Sequence, residues 1–316
     1  MRVIAIEEHF WSRDFAAHFA GPSADRTPDL MRRLEDFSEL RIGDMDAAGI
    51  DVQVLSHAPP GGQRLDPATG VVACREVNDL IAAVVNNAPD RFDAFATLPQ
   101  TSPEEAADEL QRTVEDLGFK GAMMFGVTNG KFLDEKPFWP IYERAAALNV
   151  PIYLHPSMPH PTVREVYYAT YEQTHPSLLG AAWGFGVETG TLAVRMVLSG
   201  VFETHPELQI ILGHLGEGIP FQLARIDEAL SRPGNAPCDF ADVFRTNFHI
   251  TTSGFFSDSA LRCCIEELGA DRILFAVDWP FVSSADGVRW LEAFPTDPST
   301  RERIFAGNAE RLLSVR

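Results

Sequence analysis

Basic residues are scarce in this chain: 26 Lys and Arg stand against 45 Asp and Glu, a formal net charge of −19. Nucleic acid needs Lys and Arg to meet its phosphates, so that partner is excluded, and an acidic membrane surface is disfavoured on the same ground. Long hydrophobic runs are missing too. No stretch of about eighteen apolar residues occurs, so no membrane-spanning helix is expected. Met1-Arg2 leads straight into a strand-like run with Glu7 and Glu8 inside it, unlike a secretory leader. Cysteine is sparse, with four residues (Cys74, Cys238, Cys263, Cys264) and no C-x-x-C spacing, which fits reduced thiols in a cytoplasmic protein. No P-loop and no G-x-S-x-G occurs, and no cysteine ends a strand-like run beside a histidine, so phosphate-cradle and nucleophile chemistry find no support. Disorder is excluded by a 45% apolar share.

What the chain does have is four short apolar runs that each end in a metal-type side chain. They are Val3–His9, Pro151–His155, Gln209–His214 and Ile273–Asp278. Continuous apolar, β-branched-rich runs are the mark of parallel strands covered on both faces. In folds built on such strands, ligands and catalysts sit beyond the carboxyl ends. Strand-like runs also fall at Val52–His57, Phe92–Leu98, Gly121–Gly126 and Phe248–Ser253. Helical patterns separate most of the eight, as at 41–48, 74–87, 103–117, 137–148, 261–268 and 300–313. Strands alternating with helices over 316 residues predict an α/β fold, a (β/α)8 TIM barrel formed as a single domain over 1–316. The rival, a doubly wound open sheet, would usually carry a Gly-rich turn after its first strand, where this chain has Glu-Glu-His-Phe.

Two connections are long, 10–40 after the first strand and 156–208 after the fifth. Loops of that length on the catalytic face shape pockets. The second holds Tyr167, Tyr168, Tyr171 and Trp183, which are candidates to wall a flat substrate or simply to pack the loop on the barrel.

Glu7 and His9 are two apart, so in a strand they point the same way, while Glu8 points towards surrounding helices or solvent. An E-x-H pair alone is weak evidence. It gains weight because His155 and Asp278 end two other strands, completing a mixed N/O set suited to Zn2+, Mn2+ or Fe2+ and too rich in nitrogen for Ca2+. His214 ends a fourth strand, as a further ligand or an imidazole beside the metal, with Glu217 three residues on to orient it. Asp278 has a second oxygen with which to pass a proton. Trp279-Pro280-Phe281 follows and offers an apolar wall. His57 ends the second strand as a candidate to face the pocket; His18 and His160 lie on the long loops; His175, His205 and His249 read as structural. Arg225, in a helical pattern, is a partner for a carboxylate, a subunit contact, or a surface ion pair.

The chain resembles the amidohydrolase superfamily, in its branch of metal-dependent non-oxidative decarboxylases. The resemblance runs over nearly the whole length. It is carried by Ala5-Ile6-Glu7-Glu8-His9-Phe10, Met45-Asp46-Ala47-Ala48-Gly49-Ile50, Tyr153-Leu154-His155-Pro156, Ile210–Gly218, Ile250-Thr251-Thr252-Ser253-Gly254 and Asp278-Trp279-Pro280-Phe281. It implies that Glu7, His9, His155 and Asp278 bind Zn2+ or Mn2+, that Glu217 steers His214 beside the ion, that Arg225 lies near the site and a subunit contact, and that the protein is a homodimer or homotetramer. At the substrate end the chain departs from the branch: Ser157-Met158 follow His155-Pro156, Met124-Phe125-Gly126 replaces a Val-Asn-Gly type of turn, and His57 replaces an apolar residue. Phe125, His57, Phe281 and Arg225 are therefore the expected substrate-binding set. The expected activity is loss of CO2 from an aromatic or enol-type carboxylic acid, with Asp278, His214 and Glu217 catalytic. The alternatives are hydrolysis of a lactone or amide on the same barrel, and a non-catalytic scaffold.

Overall fold

The computed structural model describes residues 1–19 and 26–315. Nine strand segments run parallel: β1 (Ile4–Phe10), β2 (Val52–His57), β3 (Phe92–Ala94), β4 (Ala96–Thr97), β5 (Ala122–Phe125), β6 (Ile152–His155), β7 (Ile210–Leu212), β8 (Phe248–Thr251) and β9 (Ile273–Leu274). Their ladders run β1-β2-β3 and β4 through β9 in chain order. Phe95 interrupts the strand expected at 92–98: its amide bonds Leu55 O at 2.9 Å, while Ala96 N turns to Gly121 O at 2.9 Å. The other end joins as well. Ile6 N donates to Phe275 O at 3.2 Å, Asp278 N to Glu7 O at 3.0 Å and His9 N to Trp279 O at 2.7 Å. First and last strands thus meet edge to edge, and the TIM-barrel expectation holds.

Inside the ring pack Ile4, Ile6, Val54, Phe95, Met123, Tyr153, Ile211 and Leu274, all buried. A larger apolar layer, including Ala5, Leu55, Leu154, Leu212 and Ile250, lies between strands and helices. The helices begin where local chemistry places them. Asp66 caps Pro67–Asn87 through Thr69 N, and Thr27 caps Pro28–Leu34 through Leu30 N, each with Pro in the first turn. The helix in the second long loop spans Gly184–Leu198, and Tyr167, Tyr171 and Trp183 before it are exposed while Tyr168 is buried.

One irregularity sets which residues face the barrel interior. In β1, Ala5 pairs with Gln53 but Glu8 pairs with Leu55, so the β1 side holds an extra residue between those pairs. Strict alternation from Ile4 and Ile6 would send Glu8 inward and Glu7 outward. The bulge resets the parity, and Glu7 and His9 face the interior instead.

Candidate metal centre

Glu7, His9 and His155 converge, their ligand atoms lying within 4.8 Å of one another and all three side chains buried. Glu7 Oε1 is 3.3 Å from His155 Nε2 and 4.0 Å from His9 Nε2. Asp278 Oδ1 joins them at 3.2 Å from His9 Nε2. Glu7 Oε1 and His9 Nε2 are buried without any hydrogen-bond partner. Buried polar atoms are nearly always satisfied, so two orphans side by side in a carboxylate–imidazole cluster fit a bound cation.

The surroundings prepare each ligand. His155 Nδ1 donates to Pro156 O at 2.7 Å, and His9 Nδ1 lies 3.2 Å from Ser56 Oγ. The carbonyl fixes the His155 proton on Nδ1 and leaves its Nε2 unprotonated towards the cluster; His9 does the same when its Nδ1 donates to Ser56. Burial pushes His9 down to about 4 and His155 to about 3, so both are neutral, as ligation requires. The other oxygen of Glu7 accepts from Tyr153 OH, which in turn lies 3.0 Å from Thr251 Oγ1. Gly213 keeps this corner open, since a Cβ there would stand 3.1 Å from Glu7 Oε2.

Asp278 and His214 sit just beyond their strands rather than in them, because β9 stops at Leu274 and β7 at Leu212. Both backbones turn left-handed, with φ of 72° at Asp278 and 50° at His214. Non-glycine residues held there carry strain of about 1–3 kcal/mol, a feature concentrated at functional sites. A Cβ on Gly254 would meet Asp278 Oδ2 at 3.3 Å and His214 Cδ2 at 3.6 Å, so these two side chains flank the same small space. His214 Nδ1 bonds Glu217 Oε1 at 2.8 Å. Burial works to lower the His214 imidazole, but Glu217, then Glu7 and Asp278, outweigh it and hold it protonated up to about 10. Burial raises Asp278 to about 7 against the pull of His214.

Glu8 was expected towards helices or solvent. It points outward but is fully buried, accepting from Val277 N at 2.9 Å and from Trp279 N and Gln53 Nε2 at 3.3 Å. It ties the first and last strands together; burial pushes its carboxyl well above the usual range, against the opposing pull of the Val277 amide and the buried Arg41 guanidinium.

The remaining sequence candidates divide. Phe281 is 43% exposed with its ring edge-on to His9 at 5.7 Å, an apolar lip on the cluster. Phe125 is buried, 5.1 Å from the His155 ring, and backs that ligand. Trp279 does not wall the mouth. It is buried beneath, bonded to Asp44 Oδ2 at 3.1 Å and covered by Arg41 at 4.0 Å. His57 is corrected from a substrate contact to a packing residue: its Nδ1 donates to Ala58 O at 2.7 Å, its Nε2 accepts from Ser12 N at 3.2 Å, and Phe10, Trp11 and Phe15 enclose its ring. Arg225 is exposed on the helix Ile219–Leu230 and, among the described residues, makes no hydrogen bond or ion pair with the cluster.

A cavity of about 880 Å³ opens beside the end of β6, lined by Pro59, Gln63, Ser157, Met158, His160 and Phe185 among others. None of the four metal-type side chains lines it, so it is a neighbouring space rather than the centre itself. The tyrosines of the long loop and Trp183 do not line it either. His18 faces a separate cavity with Phe15 and Glu76. Sequence reasoning missed Arg26, which lies over the Trp11 ring at 4.1 Å and near Phe281 at 5.9 Å. No motif marks it, since its neighbours are brought together only by the fold.

A β/α barrel with a buried carboxylate–histidine cluster at the carboxyl ends of its strands defines a metal-dependent barrel enzyme. A protein-family model described as amidohydrolase matches residues 4–315, and the chain belongs to that family. It is 39% identical to a gamma-resorcylate decarboxylase of Rhizobium sp., over 99% of this chain and 98% of that protein. Its fold matches a dihydroxybenzoic acid decarboxylase of Polaromonas sp., solved with bound manganese and the inhibitor 2-nitroresorcinol, with TM-score 0.89, 39% identity, and 99% and 97% of the two chains covered. It also matches a 5-carboxyvanillate decarboxylase of Sphingomonas paucimobilis, with TM-score 0.90, 32% identity, and 100% and 99% covered.

Proposed function

We propose that the protein is a metal-dependent, non-oxidative decarboxylase of a hydroxylated aromatic carboxylic acid. The single observation that carries the reading is the convergence of Glu7, His9, His155 and Asp278 with two buried, unpartnered ligand atoms, next to the Phe281 ring. A divalent ion of the Mn2+ or Zn2+ type would be held by these four residues and would supply Lewis-acid chemistry towards the substrate carboxylate.

The chain's own residues do the rest. Phe281 offers a face to a flat ring, and Phe125 keeps His155 in place. Glu217 fixes the His214 ring by its Nδ1, leaving Nε2 for the substrate. Asp278 keeps Oδ1 on the His9 side, and its Oδ2 faces the space shared with His214. Oδ2 delivers a proton to the ring carbon that bears the carboxylate. The carbon–carbon bond then breaks, its electron pair restores the aromatic ring, and CO2 leaves. No redox cofactor enters this sequence.

The exposed face of the helix Ile219–Leu230, with Phe221 at 80% exposure and Arg225 one turn on, is the subunit contact of a homodimer or homotetramer in this reading. No helix among the described residues is long and apolar enough to cross a membrane, and a cytoplasmic location is the setting we assign.

The test is CO2 release from ortho-hydroxybenzoates by the Mn2+-loaded protein, with light-scattering mass for the assembly. Release of one CO2 per phenol formed is the expected result. Solvent oxygen entering a lactone or amide substrate, with no CO2 from any benzoate, would replace the lyase with a hydrolase.

A further inference from the structure

We infer that Arg26 recognises a second acidic group on the substrate, so that the molecule processed is an aromatic diacid rather than a simple hydroxybenzoate. The inference rests on the decarboxylase reading and names its substrate class.

The argument begins with an unmatched charge. Arg26 donates from Nη2 to Pro59 O at 2.5 Å, and its Nη1 is buried with no partner. No carboxylate among the described residues stands in ion-pair range of it, although the chain holds 45 Asp and Glu. The acids of the metal cluster do not serve: Glu7 and Asp278 face His155 and His9. An arginine kept largely from water with a donor idle is unfavourable unless an anion completes it. With no acid among the described residues in reach, that anion is assigned to an incoming ligand.

Position limits what the anion is. The guanidinium lies over Trp11 at 4.1 Å and reaches the Phe281 ring at 5.9 Å, and the same Phe281 ring meets His9 at 5.7 Å. Arg26 therefore borders the same Phe281 ring as the metal-type cluster. Its charge is felt at both His9 and His57. The carboxylate that leaves belongs at the cluster, so Arg26 meets a different group on the same ring. Pro59, its backbone partner, also lines the neighbouring cavity, which gives room for a substituent. A planar fork resting on an indole suits a carboxylate, which accepts two parallel hydrogen bonds.

The bland reading is that Arg26 pins the first long loop by stacking on Trp11. The experiment separates the two. Mn2+-loaded wild type, Arg26→Met and Arg26→Lys are assayed on 2-hydroxybenzoate, 4-hydroxyisophthalate and 2-hydroxyterephthalate, which differ only in a second carboxylate. The expected result is a kcat/KM preference for one diacid over the monoacid of roughly 10- to 100-fold, mostly in KM. Arg26→Met should bring that ratio close to unity, and Arg26→Lys should restore part of it. A wild type with no preference for either diacid overturns the inference, as does an Arg26→Met enzyme that slows all three substrates by one factor. If no substrate releases CO2, the decarboxylase reading fails on its own. Calorimetric binding of isophthalate against benzoate then decides Arg26: diacid binding that weakens in Arg26→Met keeps it, and equal affinities in the two proteins remove it.

Discussion

The amide of Asp278 donates to the carbonyl of Glu7 at 3.0 Å, so two acids of the metal cluster are fixed to each other by the seam between the first and last strands. Closing the barrel and building the site are one event. Glu8 reinforces the seam from outside by accepting from Val277 N and Trp279 N, the residues on either side of Asp278.

That makes Glu8 a stability residue with consequences at the site. Glu8→Ala removes the buried acceptor of Val277 N, Trp279 N and Gln53 Nε2. A loss of about 2–5 kcal/mol in urea unfolding is expected, since each buried donor left unsatisfied costs about 1–3 kcal/mol. Unfolding within about 1 kcal/mol of wild type would refute the seam role.

Tyr153 touches Glu7 and no other metal-type side chain of the cluster. Tyr153→Phe should weaken Mn2+ binding by roughly 10- to 100-fold, the usual effect of removing a group that orients a ligand. Glu7→Gln should abolish it. Metal content after dialysis reads both, and full occupancy in Glu7→Gln would remove Glu7 from the ligand set.

Asp278→Asn keeps an oxygen towards His9 but cannot carry the proton. Turnover should fall by at least about 100-fold, the low end for a positioned acid. In D2O the wild type should place one deuterium on the carbon that lost CO2, read by mass spectrometry. Near wild-type turnover in the variant would exclude the proton role.

Glu217→Gln tests the steering of His214. The 2.8 Å bond to Nδ1 loses its charge, and His214 is expected to become neutral at lower pH. A fall in kcat of roughly 10- to 100-fold with metal content unchanged is the expected outcome. Unchanged kcat would leave Glu217 without a part in the reaction.

Two histidines away from the cluster set the acid limit of the fold. Burial lowers His57 to about 3, and burial with Arg272 and Arg311 lowers His249 to about 3. Both folded values lie below the usual 6.5 for histidine, so the unfolded chain takes up protons first as pH falls. Their contribution is complete above pH 6.5 and is lost as pH drops from there towards 3. These two should steepen the loss of unfolding free energy by about 3 kcal/mol per pH unit between pH 6 and 4, roughly 1.4 from each, on top of the loss that the depressed His9 and His155 bring. His57→Gln should remove about half of that slope. A slope equal to wild type would show that His57 titrates normally.

Much of this architecture was legible without coordinates. The eight strand-like runs, their order and the metal-type residues at their ends follow from apolar runs and from the rule that barrel sites lie at strand C-termini. What was not legible came from contacts between distant segments. His57 sits at a strand end like His155, yet Phe10, Trp11 and Phe15 close over it and Ser12 N takes its free nitrogen. Trp279 reads as a mouth residue from its place after Asp278, but Asp44 and Arg41 hold it beneath. Arg26 carries no pattern at all until Trp11, Pro59 and Phe281 surround it.

The sequence by itself determined the parts: an acidic chain of parallel-strand pattern, with Glu, His, His and Asp at the right ends. The Glu7-x-His9 spacing pointed to Glu7 as the inward glutamate, but the backbone reason for it was not in the sequence. Alternation from Ile4 and Ile6 points to Glu8. The extra residue that β1 holds against β2 decides for Glu7, because pairing register belongs to two strands at once and cannot be read from either alone.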